Sequence, residues 1–332
     1  MIISRTPFRI SFFGGGTDYP VWYNEHGGMV LATSINKFCY ITLRYLPPFF
    51  AYKYRIIYSK QEMVQNISEI QHPSVKETLR FMNFDRGIEL HHDADLPART
   101  GLGSSSAFTV GLLNALYALR GKMVTKRQLA LDAIHIEQDR IRENVGSQDQ
   151  TTAAFGGFNK IEFSGQQHIQ VTPVTLDAEK LKLFQNCLML FFTGFTREAS
   201  EVAAEQIKKT SEKRRELERM SQMADQALSI LNDKSSDLSD FGRLLHESWM
   251  IKRSLTNKIT TPLIDAIYET AIKAGALGGK LLGAGGGGFM LFFVKSELQP
   301  RVKEELRNLL YVPFRFENLG SQIIYYAPQS NF

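Results

Sequence analysis

Apolar residues in the first third of the chain fall into short runs rich in β-branched and aromatic side chains, separated by turn residues. Such runs predict β-strands. They cover residues 2–13, 28–46, 55–59 and 87–92. Beyond residue 104 the spacing between apolar residues increases to that of a helix, as Phe108, Leu112 and Leu116 show. The pattern therefore predicts a helix over 105–120 and a second over 126–143.

The later part of the chain mixes helical patterns with buried strand patterns. We predict strands at 187–193, 289–294 and 322–327, a long helix over 197–231, further helices to residue 274, and a helix over 298–310. Strands followed by a mixture of both elements favour an α+β fold over a doubly wound sheet. A length of 332 residues favours two domains, which we place at 1–170 and 171–332.

Composition narrows the functional class. The net charge of +5 suits anionic small molecules, and the signs alternate in the charged stretch 208–219, which is typical of a solvated helix face. From this charge pattern we expect no nucleic-acid partner. We also expect no membrane association, because the apolar runs are too short to span a bilayer. Only Cys39 and Cys187 are present, which excludes a disulfide framework and favours a reducing, cytoplasmic setting. The sequence leaves the oligomeric state open, a homodimer included.

The segment 97–107, PARTGLGSSSA, stands directly before the first predicted helix. Glycines let the backbone approach a ligand closely, and the unpaired amides of a helix N-terminus attract anions. Hydroxyls of Ser104, Ser105 and Ser106 can cap the helix, bind phosphate or reach Mg²⁺. One serine is enough for a cap, so we predict a phosphate site. Neither a P-loop nor the dinucleotide fingerprint fits this segment.

Two further glycine runs lie nearer the two ends of the chain. GAGGGGF at 283–289 lies between apolar segments, which predicts a loop packed tightly against something rather than a flexible linker. FFGGGTDY at 12–19 places Asp18 directly after a strand end. A carboxylate there can bind the vicinal hydroxyls of a sugar, or it can form a local Asx turn.

Together, in this order and spacing, the three elements resemble the three motifs of the GHMP kinase superfamily, which includes galactokinases and mevalonate kinases. The resemblance implies a ribosomal-S5-like βα domain that binds ATP over 1–170 and a ferredoxin-like domain over 171–332. Within the superfamily, RTPFRISFFGGGTDY, LPARTGLGSSSA and KLLGAGGGGF are most similar to bacterial D-glycero-D-manno-heptose 7-phosphate 1-kinases. The implied reaction is ATP- and Mg²⁺-dependent phosphorylation of the anomeric hydroxyl. L-Fucose or galactose is the alternative acceptor, and a non-catalytic sugar- and ATP-binding regulator is the remote one.

The resemblance also implies roles for individual residues. Asp149 and Arg9 are the catalytic candidates, and Ser105 and Glu137 the Mg²⁺ ligands. The ATP phosphates are assigned to Gly101, Leu102, Gly103, Ser104, Ser105 and Ser106. The substrate is assigned to Asp18, Gly15, Gly16, Thr196, Arg197, Gly285 and Gly286.

Some of these roles have independent support from the residues. Glu137 falls on the apolar stripe of the second helix, where an unpaired charge is costly, so it needs Mg²⁺ or a salt bridge to Arg140 or Arg142. We expect Asp149 in a loop after that helix.

The first motif departs from the galactokinase pattern Gly-Glu-His-Thr-Asp. Gly15 and Gly16 stand in place of the Glu and His, which opens space for a longer or phosphorylated sugar. A phosphate on the acceptor needs cations, for which Arg197, Lys280 and Arg99 are candidates.

Overall fold

Two β-sheets organise the protein. The computed structural model describes residues 1–165, 168–194, 199–233 and 235–327. Within these ranges the strands are β1 Ile2–Phe13, β2 Gly28–Tyr45, β3 Tyr54–Ile57, β4 Gln61–Val64, β5 Ile88–Ala94, β6 Phe158–Ser164, β7 His168–Pro173, β8 Leu188–Phe192, β9 Gly278–Leu281, β10 Phe289–Phe293, β11 Leu310–Tyr311, β12 Phe316–Glu317 and β13 Gln322–Tyr326.

Helices cover both sheets. They are α1 Pro20–His26, α2 Pro73–Phe81, α3 Ser104–Leu119, α4 Lys126–Ile134, α5 Gln148–Phe155, α6 Ala178–Asn186, α7 Ala199–Lys209, α8 Arg214–Asn232, α9 Ser239–Leu255, α10 Pro262–Ala274 and α11 Gln299–Glu305. A π-helical turn, His135–Ile141, follows α4 without a break. The mixed content confirms the predicted α+β class.

The larger sheet has nine strands, with β13, β1, β2, β5, β3 and β4 in line and β6, β7 and β12 joined at its side. Strand β1 pairs antiparallel with β2 over nearly its whole length, and β13 brings the end of the described chain back beside β1. Helix α3 lies on β1 and β2, with Phe108, Leu112 and Leu116 buried as its period predicted. The domain boundary near residue 170 stays a prediction.

The smaller sheet is antiparallel, in the order β11, β8, β10, β9. Helices α9 and α10 cover it, and Trp249 and Phe292 are fully buried there. Aromatic side chains join the two sheets: the ring of Phe241 on α9 lies 5.6 Å from that of Phe12 on β1 and 6.0 Å from that of Phe293 on β10. This packing fixes the end of β1 against the smaller sheet.

Several predicted helices differ from those observed. The helix expected over 126–143 changes to π-helical geometry after Ile134. The long helix is interrupted by a 3₁₀ turn, Thr210–Lys213, where the Thr210 hydroxyl donates to the carbonyl of Gln206; such back-bonding bends helices. The helix expected over 298–310 ends at Glu305. Helices α1, α2, α5 and α6 and strands β4, β9, β11 and β12 were not predicted, although Pro20 and Pro73 open the first two helices.

Candidate active site

A cavity of about 350 Å³ opens where the end of β1, the N-terminus of α3 and the loop after β9 meet. Its wall includes Arg9, Asp18, Ser105, Asp149, Lys252 and Lys280. Opposite charges from distant parts of the chain therefore converge on one space beside a helix N-terminus.

The N-terminus of α3 presents its first amides to this cavity. Gly101 and Gly103 both have left-handed φ angles, +82° and +76°. Gly103 is the N-cap, and no described side chain caps the helix there. The serine cap considered above is not formed, since the Ser104 hydroxyl accepts a bond from the Arg99 amide and the Ser106 hydroxyl donates to Glu137. The unpaired amides suit an anion.

Residues 101–106, which were assigned to the ATP phosphates, differ in whether their side chains reach the cavity. Ser104 and Ser105 line the cavity, and Ser105 is exposed. Leu102 is fully buried in the core, and its carbonyl accepts a bond from the Arg9 amide at 3.1 Å. The Leu102 side chain is therefore not a contact for ATP phosphate.

The third glycine run packs directly on this loop. A methyl group at Gly283 would lie 2.5 Å from the Cα of Gly101, and one at Gly288 would lie 2.2 Å from the Thr100 carbonyl oxygen. The tight packing predicted for the run is thus confirmed. Gly285 and Gly286, however, are buried against Ile259, whose carbonyl accepts the Gly286 amide at 2.9 Å. Neither residue lines the cavity, and their assignment as substrate contacts stays a prediction.

Arg9 and Asp149 form a bidentate ion pair, with Nε–Oδ1 and Nη2–Oδ2 distances of 2.7 and 2.8 Å. Arg9 also donates from Nη1 to the Gly101 carbonyl at 2.6 Å, which ties the pair to the phosphate loop. The expected loop position of Asp149 is wrong, because the residue lies in the first turn of α5. A carboxylate is favoured there by the helix dipole.

Asp18 is almost completely buried at the edge of the cavity. Its Oδ1 accepts the Gly16 amide at 2.9 Å, and its Oδ2 accepts the Gln148 amide at 3.3 Å. An Asx turn is not formed, because the residue two positions later is Pro20, which has no amide proton. The carboxylate instead closes the glycine turn and holds the start of α5. Burial raises the pKa of Asp18, the Gly16 amide opposes that change, and the charge of Asp149 adds to it.

The backbone at position 15 does not require glycine, so the absence of a side chain at Gly15 only leaves open space. Gly14 and Gly16 have positive φ angles, +80° and +110°, whereas Gly15 does not. A methyl group at Gly15 would make only ordinary contacts, 3.5 Å from the Gln148 amide nitrogen Nε2 and 3.6 Å from Ser11 Oγ. Ser11 Oγ and Gln148 Oε1 are buried without a hydrogen-bond partner among the described residues. Sequence reasoning missed Ser11 and Gln148 as site residues.

Glu137 lies in the π-helical turn and is fully buried. Its Oε2 accepts bonds from Ser106 Oγ at 2.8 Å and Gln150 Nε2 at 2.5 Å, and its Oε1 has no partner in the described chain. Burial, with the charge of Glu143, raises the pKa of Glu137 to about 7. The alternative salt bridge to Arg140 is not formed.

The Arg140 guanidinium instead pairs with Glu77 at 3.1 Å. Ser106 is the serine that bonds to Glu137, and the assignment of Ser105 and Glu137 as Mg²⁺ ligands stays a prediction. π-Helical turns commonly mark functional sites, and this one sets the carboxylate beneath the phosphate loop.

Two buried lysines complete the cavity. Lys280 Nζ donates to the Phe12 carbonyl at 2.8 Å, and Lys252 Nζ donates to the Gly283 carbonyl. Burial lowers the pKa of Lys252 to about 8 and, with the nearby Lys252 charge, that of Lys280 well below its usual value. Lys252 was not predicted, although its position three residues after buried Trp249 placed a charge on the buried face of α9.

Arg99 and the Thr196–Arg197 segment were also assigned to the substrate. Arg99 lines the cavity with a left-handed φ of +61°. Thr196 and Arg197 lie outside the described residues, so their role in substrate binding stays a prediction.

Family comparisons agree with this arrangement. Residues 62–157 match the model of the GHMP kinases N terminal domain, and residues 226–312 match that of the GHMP kinases C terminal domain. The chain belongs to the GHMP kinase family. Its predicted class, a phosphotransferase with an alcohol group as acceptor, and its predicted fold are confirmed with it.

Individual relatives cover most of the chain. It is 28% identical over 306 residues to the D-glycero-alpha-D-manno-heptose 7-phosphate kinase of Campylobacter jejuni, covering 88% of this chain and 89% of that protein. It is 26% identical to the L-fucokinase/L-fucose-1-P guanylyltransferase of Bacteroides fragilis, over 93% of this chain but 36% of that longer protein. A crystal structure of a D-glycero-D-manno-heptose 1-phosphate kinase from Bacteroides thetaiotaomicron superposes with a TM-score of 0.77, at 24% identity, covering 98% of this chain and 99% of that one.

None of the helices in the described ranges combines the length and the apolar character needed to cross a membrane.

Proposed function

We propose that this GHMP kinase transfers the γ-phosphoryl group of ATP to the anomeric hydroxyl of a sugar, and that the sugar is D-glycero-D-manno-heptose 7-phosphate. The observation that carries the proposal is the Arg9–Asp149 pair, held against the phosphate loop by the bond from Arg9 to the Gly101 carbonyl. A carboxylate at that point can meet an acceptor hydroxyl next to the terminal phosphate of a nucleotide bound at the start of α3.

The phosphate loop supplies donors for ATP. Ser104, Ser105 and Ser106 in the first turn of α3 line the cavity, and the helix dipole adds positive potential there. Phosphoryl transfer depends mostly on positioning and on neutralising charge, which this loop provides. The anomeric oxygen attacks the γ-phosphorus, ADP leaves, and the hydroxyl proton passes to Asp149, which Arg9 holds in place.

The residues beneath the loop fit Mg²⁺. Glu137 offers the unpartnered Oε1, and Ser106, with Ser105 nearby, offers hydroxyl oxygen. No group of three or more His, Cys, Asp or Glu within the described ranges could hold a metal by itself. Mg²⁺ uses one or two carboxylates together with substrate phosphates and water, and Glu137 supplies one such carboxylate. A Mg²⁺ ion held there would offset the negative charge of the nucleotide phosphates.

The acceptor end of the cavity is suited to a polyhydroxylated substrate. Asp18 is placed to accept bonds from vicinal hydroxyls. Ser11 Oγ and the side-chain amide of Gln148 lie beside the space left by Gly15, and Ser11 Oγ and Gln148 Oε1 have no partner among the described residues. Buried polar atoms without partners are rare, so atoms of this kind in a cavity wall favour a ligand that hydrogen-bonds to them. The relative named as a heptose 7-phosphate kinase supports the same acceptor.

³¹P NMR of the protein with MgATP tests the proposal against a panel of heptose 7-phosphate, mannose 6-phosphate, L-fucose and galactose. We expect a new anomeric phosphate signal only with the heptose 7-phosphate. A signal with L-fucose instead would favour the second candidate, which the fucokinase relative supports. The absence of any new signal despite measurable ATP binding would favour a non-catalytic regulator.

A further inference from the structure

Lys252 and Lys280 are two buried cations without a carboxylate of their own. They are 6% and 3% exposed, and both line the cavity. Within the described chain, no carboxylate oxygen lies within ion-pair distance of either Nζ, and each ammonium has one hydrogen bond, to a backbone carbonyl. An ammonium group has three N–H donors, so each lysine keeps two for something else.

The nearest carboxylates are already engaged. Asp149 gives both oxygens to Arg9, and Asp18 gives both to backbone amides. Lys252, Lys280, Arg9 and Asp18 all line the same cavity. Burial and then the charges of Lys252 and Arg9 lower the pKa of Lys280, and the charge of Asp18 opposes that change. Removing a charge from water is costly unless an opposite charge lies beside it. Burying Lys252 and Lys280 together therefore destabilises the protein when no anion is bound.

The position of the pair says which anion suits it. Lys252 Nζ lies at the carbonyl of Gly283, which packs on Gly101 of the phosphate loop. Lys280 Nζ lies at the carbonyl of Phe12, just before the Gly14–Gly16 turn. The two ammonium groups therefore lie between the donor end and the acceptor end of the cavity.

We propose that Lys252 and Lys280 together bind a phosphate group beside the Arg9–Asp149 pair. This inference rests on the proposed kinase function and adds a second phosphate-binding element to it. The phosphate has two sources with the same chemistry: the phosphoryl group passing from ATP, or the phosphate that the acceptor already carries. In both cases the phosphate accepts hydrogen bonds from the ammonium donors that no carboxylate of the described chain takes.

Lys252→Met is the decisive variant, because methionine keeps much of the aliphatic stem and removes the charge. Lys258→Met is the matched control, since Lys258 is half exposed and pairs with Glu205 on the surface. We expect Lys252→Met to keep or raise Tm, because a buried unpaired charge is removed, and to lower kcat/KM by at least 100-fold. Lys258→Met should leave kcat/KM unchanged.

Two acceptors distinguish the sources of phosphate. An equal loss of kcat/KM with heptose 7-phosphate and with the unphosphorylated heptose assigns the lysines to the group in transfer. A loss confined to the phosphorylated acceptor assigns them to the acceptor's own phosphate. Activity of Lys252→Met within threefold of the unmodified protein on both acceptors would overturn the proposal.

A second measurement does not depend on turnover. Inorganic phosphate, compared with chloride at equal ionic strength, should raise the Tm of the unmodified protein and of Lys258→Met more than that of Lys252→Met. An equal rise in all three proteins would refute the anion site. If no sugar is phosphorylated but this difference is found, the proposed function fails and the anion site stands.

Discussion

Replacing Asp149 by Asn tests the central element of the site. Asn keeps the size of the side chain and one acceptor, but its amide nitrogen would face a guanidinium nitrogen of Arg9. One of the two bonds of 2.7 and 2.8 Å is therefore lost, together with the charge attraction. A hydrogen bond to a charged group contributes about 1.5–3 kcal/mol. Because the Asp149 side chain is 25% exposed, water offsets part of this, and we expect a stability loss of about 1–2 kcal/mol.

The effect on catalysis should be much larger than the effect on stability. A positioned proton acceptor contributes about 10²–10⁴-fold, so kcat should fall by that factor. Affinity for ATP should change less than threefold, because the phosphate loop is untouched. Initial rates with saturating substrates give kcat, and calorimetric titration with a non-hydrolysable ATP analogue gives the affinity.

A matched control separates chemistry from folding. Asp132 is also a buried carboxylate with two side-chain donors, Tyr117 at 2.7 Å and Gln128 at 2.8 Å, but it lies outside the cavity. Asp132→Asn should lower stability comparably and leave kcat unchanged. A kcat for Asp149→Asn within threefold of the unmodified protein would refute the role given to Asp149.

Three further predictions concern Glu137, the glycine turn at Gly14 and Gly15, and His72. Glu137→Gln should raise the Mg²⁺ concentration for half-maximal rate at least tenfold, and an unchanged titration would leave Glu137 structural. Gly15→Ala should fold normally and raise KM for the sugar severalfold but not for ATP, whereas Gly14→Ala should fail to fold, because its methyl group would lie 1.8 Å from a backbone oxygen; circular dichroism and kinetics check both. Burial lowers the pKa of His72 to about 4. Between about pH 6.5 and 4 the unfolded chain therefore binds more protons, and stability falls by about 3 kcal/mol as the pH drops. Urea unfolding of His72→Asn should show a flatter pH dependence in that window.

Features written in local sequence were predicted well. Helix α3 was placed within one residue at each end, because its apolar period and its preceding glycines are both local signals. Strands β1 and β10 were equally clear from their apolar runs. The convergence of Arg9 and Asp149, by contrast, was implied only by family resemblance, since 140 residues separate them.

Features set by tertiary contacts were missed or misplaced. The loop expected around Asp149 is the first turn of α5, because the buried Asp18 carboxylate accepts the Gln148 amide from another part of the chain. The apolar pattern of the helix carries no sign of the π-helical turn at Glu137, whose carboxylate accepts bonds from Ser106 and Gln150. In each case the contacts lie outside the local sequence pattern.

The third glycine run shows how a motif can be functional without touching the substrate. Gly283 and Gly288 lie so close to Gly101 and Thr100 that a methyl group at either would collide with the phosphate loop. The two glycine motifs are thus two sides of one backbone-to-backbone contact. The Gly283 carbonyl, fixed by this contact, accepts the bond from Lys252. Glycine here brings the later part of the chain close enough to place a cation beside the loop that the earlier part supplies.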